Sequence, residues 1–244
     1  MSLSREQPSE QSTFVLIPGA WHGGWAWLPV ARRLRAAGRQ AVTLTMPGLA
    51  DGDDRAGLRL QDAVDRVVTE VERRELANIT LVAHSWGGYP MTGAAHRLAG
   101  RLSKVIYCNA FVPAAGKSAL DEFPPELAAA IRAAIRSTPD FTWVPPLEII
   151  QQLLMQGEPE PVQRFLLELL VPQPGNYGED ALDVPEVAAL GVPTAYVLSE
   201  DDHGLPRPSA DYAARLGVEP IMVPGTHEFL LTHPDELAQA LLKA

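Results

Sequence analysis

The sequence predicts an α/β protein: a doubly wound, about six-stranded, mostly parallel sheet with helices on both faces and a helical cap insertion. Three observations carry that expectation. Apolar runs of strand length alternate with helical patterns through the first third of the chain and again near its end, as parallel strands joined by crossover helices require. Between Val112 and Pro185 the alternation stops, and eleven of the 22 prolines fall between Pro113 and Pro185. A chain of 244 residues suits one such domain, and at that size roughly three-quarters of the unfolded surface can be buried without disulfide or metal staples.

The elements follow in order. Residues 1–12, MSLSREQPSEQS, are polar, lack a signal-peptide hydrophobic stretch, and are expected to form a frayed leader. TFVLI is a short buried strand, WLPVARRLRAAG a helix ended by Gly38, and QAVTLT the next strand. Leu60, Ala63, Val64, Val67, Val68 and Val71 then recur at helical spacing and form one apolar face. A strand at Ile79–Ala83, a helix from about Trp86 to Ala99 and a strand at Lys104–Ala110 complete the first part of the core, 13–112. Residues 113–185 hold helical pieces such as ELAAAIRAAIR, LEIIQQLLMQ and PVQRFLLELL, with no convincing β run, and are expected to cap the carboxyl edge of the sheet. Such an edge is where open α/β sheets bind ligands. Residues 186–244 resume the alternation: PTAYVLS, a helix at Ala210–Leu216, PIMVP, and a last helix begun by Pro234.

Composition narrows the partners. The net charge of −10 disfavours nucleic acid or an anionic membrane. No apolar run approaches the roughly 18 residues of a spanning helix. Neither paired metal-ligand spacing nor a glycine-rich phosphate loop is present, so no metal and no cofactor is expected. Cys108, the single cysteine, excludes an internal disulfide and fits a reducing cytoplasm. A small molecule is the expected partner, and monomer or homodimer is left open.

One stretch carries chemistry: TLVAHSWGGYP, where a strand stops at Ser85 and glycines follow. A serine can merely cap the next helix. A strand–serine–helix turn flanked by small residues is also the setting of a nucleophile elbow, here Ala83-His84-Ser85-Trp86-Gly87. The hydroxyl needs a base. Of six histidines, His84 should point away into the protein, His96 lies on the helix behind, and His22, His203 and His233 sit elsewhere; His227, just past the last strand in PGTHEF, shares the sheet edge with Ser85. The imidazole needs an acid, and LSEDDHG places Asp201 and Asp202 past the fifth strand; the order Ser85, Asp201, His227 suits this fold. A tetrahedral intermediate also needs two amide donors, worth about 3–4 kcal/mol each. Trp86 supplies one, and the Gly19-Ala20-Trp21 turn, with Ala20 preferred, supplies the other.

With these residues in view the chain resembles the α/β-hydrolase superfamily, and within it the branch of plant methylesterases and hydroxynitrile lyases. LIPGAWHGGWAW, LTMPGLADGD, LVAHSWGG, VIYCNAFVPAAGKS, YVLSEDDHGLP and VPGTHEFLLTHPDELA carry the resemblance over nearly the whole chain after the leader. It implies a Ser85–Asp201–His227 triad, an oxyanion hole at Ala20 and Trp86, and no cofactor. Pro18 and Ala83 depart mildly from the family pattern, and the paired Asp201-Asp202 leaves the acid open by one residue. Asn109 stands where some relatives keep their acid. Hydroxynitrile lyases of the branch carry a lysine directly after the histidine; here Glu228 stands there, which argues against cyanohydrin cleavage. The expected activity is hydrolysis of a small to medium, largely apolar ester. Trp21, Trp86, Phe111, Trp143 and Phe165 are candidate pocket walls. Thioesterase, cyclase or lyase use of the same groups, or ligand binding alone, are the alternatives.

Overall fold

The computed structural model describes residues 12–244, so the leader expected at 1–12 lies, Ser12 apart, outside the described residues. In chain order come β1 (Thr13–Ile17), α1 (Leu28–Ala36), β2 (Ala41–Thr43), α2 (Leu60–Arg73), β3 (Ile79–Ser85), α3 (Gly88–Arg97) and β4 (Leu102–Ala110). An insertion follows, built of α4 (Pro125–Ser137), β5 (Thr142–Trp143), α5 (Leu147–Ile149) running on as a π-helical turn to Leu154, α6 (Glu160–Leu169), β6 (Gln173–Pro174) and α7 (Asn176–Glu179). The chain closes with β7 (Thr194–Ser199), α8 (Ser209–Leu216), β8 (Ile221–Val223), α9 (Phe229–Thr232) and α10 (Pro234–Lys243).

Six strands form one sheet in the order β2-β1-β3-β4-β7-β8, every pairing parallel. Because side chains alternate across a strand, each core strand feeds two apolar layers. Val15, Ile17, Leu81, Ala83, Val105, Tyr107 and Tyr196 face the layer completed by α2, α3 and α8. Phe14, Leu16, Val82, Ile106, Cys108 and Val197 face the layer completed by α1, α9 and α10. Strands sandwiched in this way must be apolar on both sides, which is why TFVLI and ITLVA read as continuous hydrophobic runs.

The α2 stripe is buried at each of its six positions, Leu60, Ala63, Val64, Val67, Val68 and Val71. Each fully buried Leu or Val contributes about 1.5–3 kcal/mol relative to exposure. The helix starts where Asp62 accepts the Arg59 amide at 2.7 Å, satisfying a donor that the first turn leaves free.

After β1 the helix α1 goes to one face, and after β3 the helix α3 goes to the other. The carboxyl ends of these neighbouring strands therefore flank a crevice, the place where doubly wound sheets bind ligands.

Three local expectations are corrected. β3 runs two residues beyond Ala83, to Ser85, and α3 starts at Gly88 because Trp86 and Gly87 make the turn. The insertion is not wholly helical: β5 and β6 pair antiparallel, with Trp143 opposite Gln173 and Thr142 opposite Pro174. That ribbon stays two residues long, since Pro174 lacks the N–H a longer ladder needs. Its shortness hides it from any strand pattern. Among the described residues no helix is long and apolar enough to cross a membrane. Cys108 is fully buried, which pushes its thiol well above the usual range and leaves it inert.

Candidate active site

Four strand ends converge. β3 ends at Ser85, whose φ of 51° lies in the left-handed region, an uncommon conformation for a residue with a β-carbon. The two glycines behind it are required by contact. A β-carbon on Gly87 would lie 2.4 Å from the Pro18 carbonyl oxygen, and one on Gly88 would lie 1.9 Å from that of Phe111. Both obstacles are backbone, so no side chain can yield. The tight turn thus draws the loops after β1 and β4 against the serine.

His227 follows β8. Its Nδ1 donates to Asp202 Oδ1 at 2.7 Å, so the neutral ring leaves Nε2 as its acceptor. Asp202 Oδ1 also accepts the Gly204 amide at 3.0 Å, and its other oxygen accepts the Ser209 hydroxyl. Gly204 lies flat on the imidazole: a β-carbon there would be 2.3 Å from the ring. Burial pushes the Asp202 carboxyl up, but the His227 charge and the hydrogen bonds from His227, Ser209 and Gly204 outweigh it and hold the group below its usual range. Burial also pulls His227 down; there the Asp202 charge and hydrogen bond, with the charge of Glu228, prevail and hold the imidazole above its ordinary value.

The carboxylate bonded to His227 is therefore Asp202, where the sequence reading preferred Asp201. Asp201 lies in the turn that follows Ser199, with its side chain exposed and 3.3 Å from His203 Nε2. Its backbone amide donates to the Gly225 carbonyl at 3.1 Å. Asp202 is the residue that turns inward beneath the ring.

Other polar groups fix the frame. Asn109, at φ 42°, donates to Ser199 Oγ at 2.7 Å and accepts the Ser199 amide at 2.9 Å, tying β4 to the end of β7. His84 donates from Nε2 to the His227 carbonyl at 3.0 Å. Burial, then His227 and His22, hold His84 far below its usual value, so it stays neutral. Glu228 is buried with Oε2 3.5 Å from His22 Nε2. It is not among the residues that line the cavity described below. His84, His227 and Glu228 are the described residues whose ligand atoms come within 4.8 Å of one another as a metal site would need; His84 Nε2 and His227 Nδ1 have protein partners, which leaves the second nitrogen of each ring.

Ser85 and His227 open onto a cavity of about 350 Å³ under the insertion. Trp21, Trp86, Phe111 and Trp143, four of the five walls expected, line it together with Ala20. Phe165 does not: it is 60% exposed on α6 and outside the lining, because the α6 residue turned inward is Leu166. Leu120, Ile131, Leu154 and Gln173 are walls that the sequence did not single out. No Lys, Arg, Asp or Glu is among the lining residues. The Trp86 ring stacks on Tyr177 at 4.8 Å and donates Nε1 to the Tyr177 carbonyl at 2.8 Å, fastening α7 to the elbow. The Trp21 amide is taken by Gln173 Oε1 at 3.1 Å. Of the three amides of the Gly19-Ala20-Trp21 turn, that bond occupies one and leaves those of Gly19 and Ala20.

The model of the alpha/beta hydrolase family matches residues 14–240. The chain belongs to that family. It is 37% identical over 124 residues to a carbendazim hydrolyzing esterase of Nocardioides sp. (strain SG-4G), covering 48% of this chain and 51% of the relative. It is 24% identical over 204 residues to methylesterase 8 of Arabidopsis thaliana, covering 78% and 72%. The chain spans about half the length, or less, of the curated relatives it matches at 30% identity or above. Among solved structures, an extracellular alpha/beta-hydrolase from a Paenibacillus species superposes with a TM-score of 0.90 at 23% identity, covering 96% of this chain and 98% of that one. That protein is described as sharing structural and functional homology with tobacco salicylic acid binding protein 2.

Proposed function

We propose that the protein is a serine hydrolase that cleaves a small to medium, largely apolar carboxylic ester through an acyl-enzyme. The observation that carries the reading is the shared cavity: a left-handed Ser85 and a His227 held by Asp202 open into one apolar space. The esterase and methylesterase relatives support ester hydrolysis as the reaction class.

In the proposed mechanism Ser85 Oγ attacks the ester carbonyl while His227 Nε2 takes the hydroxyl proton. Negative charge collects on the carbonyl oxygen, where the Ala20 and Trp86 amides meet it. Asp202 stabilises the imidazolium that forms and never itself takes the proton. His227 returns the proton to the leaving alkoxide, and the alcohol departs. Water then enters, His227 accepts one of its protons as the water oxygen attacks the acyl-serine, and His227 passes that proton to Ser85 Oγ as the acyl–oxygen bond breaks and the carboxylic acid leaves. A cavity without a charged side chain favours neutral substrates, because an anionic group would be desolvated there unpaired.

The test combines a fluorophosphonate probe with a panel of aryl, methyl and thioester substrates. The expected result is labelling at Ser85 and turnover that Ser85→Ala removes by several orders of magnitude. An unlabelled Ser85 would favour ligand binding instead. Cyanide release from mandelonitrile outpacing ester turnover would favour a lyase, although no Lys or Arg lines the cavity to hold cyanide.

A further inference from the structure

The turn that offers the Ala20 amide is held from outside its own strand. Trp21 has φ 65°, again left-handed, so the local chain does not favour this shape unaided. Its partners come from the insertion. Gln173 Oε1 accepts the Trp21 amide at 3.1 Å, and the Val171 amide donates to the Trp21 carbonyl at 3.1 Å. The Trp21 ring meets the Trp143 ring edge-on, centroids 4.8 Å apart. Trp143 and Gln173 are themselves opposite each other in the β5–β6 ribbon. Pro172, between the two donors and acceptors, accepts Arg55 Nε at 2.9 Å, which anchors the same strip to the loop after β2.

The peptide between Ala20 and Trp21 is gripped at both ends. Gln173 takes its N–H, and His22 Nδ1 donates to its carbonyl at 2.6 Å. Gln173 is buried, and only its carbonyl oxygen can accept from an amide, so the orientation of its side chain is set by the bond.

We infer that Gln173 is a positioning residue: its carbonyl oxygen locks the Ala20–Trp21 peptide, and with it the aim of the Ala20 amide, so that docking of the β5–β6 ribbon and completion of the oxyanion site are one event. The inference rests on the serine-hydrolase reading above. It assigns to the insertion a part in transition-state stabilisation beyond that of a roof.

The experiment compares Gln173→Met, which keeps size but loses the acceptor, with Gln173→Glu, which keeps an acceptor oxygen. A misplacement of about 1 Å costs up to about 10²-fold, so Gln173→Met should lower kcat on p-nitrophenyl butyrate about 10- to 100-fold. KM should stay within about threefold, the pattern of an interaction made in the transition state alone. A trifluoromethyl ketone, which becomes an oxyanion on Ser85, should weaken by the same factor as kcat. Amide hydrogen exchange across residues 18–24 should quicken. Gln173→Glu should restore slow exchange across residues 18–24, since a carboxyl oxygen accepts the same N–H, while its charge beside the oxyanion holds kcat below the parent's. Should Gln173→Met fail to fold, Gln173→Ala carries the same comparison.

Parental kcat in Gln173→Met, a loss confined to KM, or exchange as fast in Gln173→Glu as in Gln173→Met would overturn the inference. The two readings fail differently. If the parent hydrolyses esters while Gln173→Met changes neither exchange nor kcat, the clamp is wrong and the hydrolase stands. If exchange responds as expected while the parent turns over no ester, the clamp stands as a structural device and the hydrolase reading falls.

Discussion

Asp202→Asn is the sharpest test of the proposed site. The carboxylate receives three hydrogen bonds, from His227 Nδ1, the Gly204 amide and the Ser209 hydroxyl. An asparagine can reproduce all three. Its Oδ1 must stay where Oδ1 is, because the Gly204 amide can only donate; its Nδ2 then faces the Ser209 hydroxyl, which can turn to accept. The imidazole consequently keeps its tautomer and its place, and what is lost is charge. An ion pair about 4 Å apart at an effective dielectric of about 20 is worth about 4 kcal/mol, which bounds the loss in kcat near a thousandfold. That is smaller than the roughly 10⁴ seen when the tautomer is also wrong. Asp201→Asn, which alters an exposed side chain, should change kcat less than about threefold. Initial rates on p-nitrophenyl butyrate, with thermal melts to confirm folding, read both. A larger loss in Asp201→Asn than in Asp202→Asn would refute the assignment of the acid.

Three further outcomes are expected. The raised His227 value means the base is neutral only above the ordinary histidine range, so kcat/KM should climb with pH along a limb centred above about 6.5. In Asp202→Asn the burial effect is opposed by the charge of Glu228 alone, and the limb should move to lower pH; a limb that does not shift between the two proteins would contradict the pairing. Gly88→Ala drives a methyl into the Phe111 carbonyl, and overpacking against backbone should cost at least about 3 kcal/mol. At this chain length that lowers the melting temperature by about 6–12 °C or prevents folding, and an unchanged melt would show the turn to be softer than its contacts suggest. Trp143→Ala enlarges the cavity and should raise kcat/KM for bulky esters relative to short ones, by a ratio of about 10 or more; Phe165→Ser, on the exposed face of α6, should leave that ratio alone.

Much of the fold could be read from periodicity because burial enforces it. The α2 stripe and the alternating layers of β1, β3 and β4 are sequence patterns that only a sandwiched parallel sheet satisfies. Ser85 and His227 were legible for a related reason: each stands at a strand end, where the strand pattern stops and small residues begin. The acid was not. Past Ser199 the pleat no longer dictates which residue faces inward, and the choice between Asp201 and Asp202 is made by Gly204 and Ser209, residues with no chemical signature of their own. Phe165 was misplaced because α6 has apolar residues on both sides, and Leu166 turns inward while Phe165 faces solvent. Gln173 gave no signal at all: a neutral amide in PQPG becomes informative only when the ribbon sets it beside Trp21.

The arrangement of strands also sets when during folding the proposed chemistry becomes available. His84, beside the nucleophile, bonds the backbone of His227 across 143 positions of sequence, and β8 is the outermost strand of its side of the sheet. Contacts of such long range form late, after the local helices have organised. An emerging or refolding chain therefore exposes its serine hydroxyl well before any base can reach it. Ester turnover should lag the recovery of helical circular dichroism in a refolding time course, which would make the active site a reporter of the last strand to dock.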